Sequence, residues 1–164
     1  EVGSAGTTNI TFNSIPQGYT DLKLVISSRD DRSGQQNGDV GLQVGYNGTI
    51  NTSSIYTMRR IGGTGSSVFS DSGSGTAMSF GMSTSTTATA NTFGSSEYYI
   101  PNYTSSVSKS ASAEGVAETN ATATYAVLNA CLMATNNPIT DIKLYPALAT
   151  NFVQYTTATL YGIL

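Results

Sequence analysis

Alternation of apolar and polar residues is the feature that most constrains this chain. In "DLKLVIS", Leu22, Leu24 and Ile26 fall on one side, and Lys23, Val25 and Ser27 on the other. A period of two marks a half-buried β-strand, because successive side chains of a strand point to opposite faces. "VGLQVGY" repeats the pattern through Val40, Leu42, Val44 and Tyr46. "IYTMRRI", Val68–Phe69, "MSFGM", "EYYIPNY", "SVSKSASAEGVAE" and "DIKLYP" read as further strands. The last, "NFVQYTTATLYGI", sets Val153, Tyr155, Thr157, Thr159, Tyr161 and Ile163 on one face. Residues 122–134, around "TYAVLNACLMA", contain good helix formers, and so short an apolar run fits either a helix or a buried strand. A central strand is preferred, since the neighbours are strands and no charged face accompanies the run.

Between the strands lie turn residues such as Pro16 and Gly18. The tracts "GGTGSS" and "SGSGT" and the Thr-rich residues 83–92 read as loops. Roughly nine or ten strands joined by polar connections predict an all-β domain, a two-sheet antiparallel β-sandwich of jelly-roll type. The 164 residues make a single domain, 1–164, long enough to bury roughly 70% of the surface of the unfolded chain.

Composition narrows the function. Only 10% of residues are charged, and 46 are Ser or Thr, so the surface is polar but largely uncharged. Seven cations against ten anions offer no track for phosphates, which makes nucleic acid an unexpected partner. No apolar stretch approaches the roughly 20 residues of a membrane span, and "EVGSAGTTNITF" shows no secretion-signal pattern. The single cysteine, Cys131, excludes an internal disulfide and reads as a buried, inert thiol.

Catalytic constellations are sparse. The sequence has no histidine, which removes Ser-His-Asp triads, imidazole bases and most zinc sites. The glycine tracts lack a following helix whose N-terminus would hold a phosphate. Glycoside hydrolysis needs only two facing carboxylates, and Glu97 beside "YYIPNY" is a candidate for lining a sugar groove. An exposed strand Glu bordered by half-buried tyrosines is the preferred reading, and the absence of Trp weakens the sugar case. "RDDRSGQQNGD" gathers Asp30, Asp31 and Asp39, but their spacing matches no calcium loop. A solvated hairpin tip with local Arg–Asp pairing is expected there. Five N-x-S/T sequons, at Asn9, Asn47, Asn51, Asn102 and Asn120, are close to the number that chance supplies. No catalytic residue, metal or cofactor is therefore expected. Adjacent Arg59 and Arg60 point to opposite faces of their strand, so one is available for pairing or contact. Aromatic and basic groups are enriched at interfaces, and contact residues are placed at Arg59, Arg60, Tyr98, Tyr99 and Tyr103.

Three stretches, "TFNSIPQGYTDLKLVISSR", "NTFGSSEYYIPNYTSSVSKSASAEGVAE" and "NFVQYTTATLYGIL", occur in an order that covers nearly the whole chain. As a set they resemble a group of small virion structural proteins of tailed bacteriophages, which serve as capsid decoration (cement) proteins or as tail-fibre modules. The resemblance implies a jelly roll working as a homotrimer on the surface of the extracellular phage particle, without enzymatic activity. It implies the major capsid protein as partner, bound from outside so that the shell is stabilised. The alternative it implies is a receptor-binding module recognising host surface glycans.

Overall fold

The computed structural model describes residues 1–119 and 124–164, and for Phe80 the backbone alone. Among these residues there is no helix and there are twelve strands. They are β1 (Ile10–Phe12), β2 (Asp21–Ser28), β3 (Asn37–Tyr46), β4 (Thr49–Ile50), β5 (Tyr56–Gly63) and β6 (Val68–Gly75). The others are β7 (Met78–Thr84), β8 (Gly94–Ile100), β9 (Lys109–Ala117), β10 (Tyr125–Met133), β11 (Asp141–Pro146) and β12 (Thr157–Ile163). The strands form two antiparallel sheets, one of seven strands in the order β12-β2-β8-β9-β10-β5-β6 and one of five. In the smaller sheet the order is β1-β11-β3-β4, with β7 also paired to β3. The two-sheet sandwich is thus present. Alongside crossings from sheet to sheet, the path includes a meander of β8, β9 and β10 within the larger sheet.

Alternation explains which faces meet. Leu22, Leu24 and Ile26 of β2 are buried, as are Val40, Leu42 and Val44 of β3 and Ile142 and Leu144 of β11. These residues pack in one core cluster between the sheets. Each such side chain contributes about 1.5–3 kcal/mol by leaving water. Residues 125–133 are a strand rather than a helix, with Val127, Asn129, Cys131 and Met133 buried on alternate positions. Residues 122 and 123 of the expected element lie outside the described residues.

Polar bonds span the same core. The Tyr98 hydroxyl of β8 donates to the Val40 carbonyl of β3 at 3.0 Å. The Val44 amide of β3 donates to the Tyr56 hydroxyl of β5 at 2.7 Å. Met82 of β7 donates its amide to Ser96 Oγ of β8 at 2.7 Å. Both tyrosines are fully buried, and burial pushes their hydroxyls far above the usual phenol range. Gly81 sits where a Cβ would stand 2.1 Å from the Tyr98 hydroxyl oxygen, so only glycine admits that ring.

Some expectations need correction. "SGSGT" is not a loop in its greater part, because β6 runs through Gly75 and pairs with β5 along its length. The final strand starts at Thr157. Tyr155 has φ 71°, a left-handed conformation that breaks extension, so Val153 and Tyr155 fall outside it.

Replacing Tyr98 by Phe keeps the ring and removes its bond to the Val40 carbonyl. The change is expected to cost about 0.5–1.5 kcal/mol. Urea unfolding monitored by tyrosine fluorescence should show the midpoint falling at constant slope; an unchanged midpoint would contradict the tie.

Candidate functional site

The larger sheet has an outward face as well as a buried one. Register places its outward side chains in rows that cross the strands. One row runs Tyr161, Lys23, Tyr99, Ser112, Ala130, Arg59 and Ser72. The next runs Thr159, Val25, Glu97, Glu114, Leu128, Ile61 and Ser70. A third brings together Ser95, Val116, Ala126, Gly63 and Val68. Alternation would make such a face polar. Here Ile61 is 58% exposed, Leu128 51% and Val116 48%, with Leu132 and Val68 exposed nearby. An open groove of about 950 Å³ lies over this region, floored by Ile61, Val68, Val116, Ala126 and Leu128 and edged by Glu97 and Glu114. Beneath it Phe69 and Tyr125 pack against Met82, Ala117 and Val127.

Charge on the face is limited and specific. Glu97 and Glu114 stand directly opposite each other on β8 and β9, an unfavourable arrangement for like charges. Lys23 relieves it, its ammonium 2.7 Å from Glu97 Oε2. The bond from Glu97 raises the Lys23 ammonium above its ordinary value, and Glu114 adds to this. Tyr99 donates its hydroxyl to Asp21. Arg59 is exposed and donates to its neighbour's Met58 carbonyl at 2.9 Å.

The five residues placed at an interface from sequence do not share one surface. Arg59 and Tyr99 lie on the outward face. Arg60 points inward, bonded to both Asp71 oxygens at 3.1 and 2.6 Å and seated 5.1 Å from the Phe69 ring. Tyr98 and Tyr103 are buried, not exposed. Ile100 is a core residue, and period two therefore carries Tyr98 inward with it. Tyr103 is covered beneath the turn after β8, where its hydroxyl donates to the Pro16 carbonyl.

The aspartate loop is a fastener rather than a solvated tip with Arg–Asp pairs. Asp30 is buried, accepting from the Ser83 hydroxyl, from Ser85 Oγ at 2.5 Å and from the Arg32 amide. Arg29 donates to the carbonyls of Ala88, Thr89 and Thr92, tying down the loop after β7. Burial pushes the Asp31 carboxyl up, but bonds from Asn151 and Thr150 outweigh it and hold it below the usual range. Asp141 is lowered likewise, by Thr140, Gly48 and Ser14 against the effect of burial. Asp39 goes the other way, raised chiefly by burial. Among the described residues no three His, Cys, Asp or Glu side chains form a group that could hold a metal. Sequence reading also missed Lys109, whose buried ammonium donates to the carbonyls of Ser105, Val107 and Thr135 and holds the loop before β9. Its place on a strand of small polar residues gave no sign of this.

Comparison with family models, with curated proteins and with solved structures finds no match.

The pH dependence follows from these directions. Asp31 and Asp141 have depressed folded values, so their stabilisation is present above the ordinary carboxylate pKa and lost as pH falls through the folded one. Asp39 has a raised folded value, so its contribution is present at low pH and lost as pH rises through that value. Asp39→Asn, neutral throughout, should therefore melt higher than the unsubstituted chain at pH 7 and lose that advantage in acid. Differential scanning calorimetry at both pH values checks this; an equal advantage at both would contradict it.

Proposed function

We propose that this chain is a bacteriophage virion structural protein, a capsid decoration protein that binds the outer surface of the shell and stabilises it. The observation that carries the proposal is the outward face of the seven-stranded sheet, where Ile61, Val116, Leu128 and Leu132 are exposed together, with small residues and a few charges such as Glu114 and Arg59 beside them. Contiguous exposed apolar surface on a folded domain marks an interaction site. The sequence resemblance supplies the partner class, a major capsid protein, and the expectation of three copies per assembly. Binding across neighbouring capsomers favours the assembled shell over its separated parts by linkage. Repeated contacts on one lattice add through effective concentration. A sandwich tied across its core by buried tyrosines is a durable unit for that task.

A second reading is favoured by one row of the same face, where Tyr161, Lys23 and Tyr99 stand side by side, with Glu97 bonded to Lys23. Half-exposed aromatic rings beside charged hydrogen-bonding groups suit a glycan, as in a tail-fibre module recognising host surface sugars.

Heating phage heads with and without the chain separates the two. The decoration reading expects heads stripped of the protein to release DNA at a lower temperature. Purified chain should restore resistance, and the Leu128→Glu variant should not. Unchanged heat resistance, with host adsorption lost in Tyr99→Ala, would favour the glycan reading instead.

A further inference from the structure

We propose that the outward face of the seven-stranded sheet packs against the same face of a second copy, about a two-fold axis that crosses β10 between Leu128 and Ala130. This is the contact of the free protein: it uses the face that the reading above gives to the shell, so a copy that binds the shell gives up its partner.

Strands β9 and β5 flank β10 on either side. Glu114 of β9 pairs in register with Leu128, and Leu128 with Ile61; Ser112 pairs with Ala130, and Ala130 with Arg59. Glu114 and Arg59 are therefore diagonal to one another, with the midpoint of the line between them on β10, between Leu128 and Ala130. A two-fold axis in the plane of contact, through that midpoint and perpendicular to the line, sets Arg59 over the partner's Glu114 and Glu114 over the partner's Arg59. Two equivalent ion pairs result from one self-complementary patch, as an isologous contact requires.

The charges suit this use. Among the described residues the ion pairs within the chain are Lys23 with Glu97 and Arg60 with Asp71, so neither Arg59 nor Glu114 is consumed by one. Lys23 also attracts Glu114, but its short bond is to Glu97. Near the axis Ile61 and Leu128 meet apolar side chains of the other copy, and small Ala130 and Ser112 allow close approach.

Size agrees. Seven strands at about 4.8 Å spacing and about eight residues each make a face on the order of 800 Å², about what one partner contributes to a stable interface. The contact is two-fold and separate from the three-fold one that the resemblance implies.

Analytical ultracentrifugation of the purified chain tests this. The expected result is an assembly with an even number of copies, weakened by salt. Arg59→Glu or Glu114→Arg alone should raise its dissociation constant about tenfold or more, and combining the two should restore it. Circular dichroism shows whether each variant is folded, which these exposed positions permit. Only monomers or trimers at every concentration, or an even assembly indifferent to the exchanges, would overturn the contact. Failure here with heads still stabilised leaves the decoration reading standing. An intact two-fold assembly that does not protect heads contradicts that reading and not the contact.

Discussion

The two sheets are tied at a fixed separation by side chains long enough to span the core and polar enough to end in a hydrogen bond. Tyr98 and Tyr56 reach from the larger sheet to the backbone of β3, and Ser96 joins β8 to β7. Each bond forms where water is excluded, so a lost partner would leave a buried polar group unsatisfied. That penalty fixes the registry of one sheet over the other. Apolar burial alone sets only that the sheets pack; the tyrosines set where. The fastener at Asp30 and Arg29 and the Lys109 cap then hold loops against this frame.

With the inner faces fixed, chemistry is left to the outside, and there the sheets differ. One has seven strands and the other five. The outward face of the larger one carries the departure from alternation, with aliphatic residues on β5, β9 and β10 where polar ones would be neutral or better. In the isolated domain such residues gain only cross-strand contacts, as Leu128 does with Ile61. They become favourable once another surface covers them, which is the ground for the binding role proposed above. The sparse charges on that face then direct the orientation of contact more than its strength.

Much of this was legible in the sequence because period two is a local signal. Leu22 to Ile26, Val40 to Val44 and the strand around Cys131 all follow from it. The errors have physical causes. Tyr98 was placed at the surface on its residue type, although alternation from Ile100 puts it inside. Glycine and serine in "SGSGT" suggested a loop, but an edge strand needs only one paired neighbour and tolerates weak formers. The Asp30 and Lys109 fasteners join residues far apart along the chain, Asp30 to Ser83 and Lys109 to Thr135, and no local pattern reports such pairings. The face itself was half visible. Arg59 and Tyr99 stand out in the sequence, whereas nothing local marks Ile61, Val116 and Leu128, because register, not composition, gathers them.

The most direct test asks whether that face is covered when the protein is at work. Cys131 is buried, with its thiol pushed up to about 12, so it stays unreactive in the folded chain. A thiol introduced by Leu128→Cys is then the reactive one, and its alkylation rate can be compared between dilute free chain and chain bound to phage heads. The account predicts strong protection on the particle. Equal rates in both states would contradict it, and the exposed aliphatic face would have no part in what the protein binds.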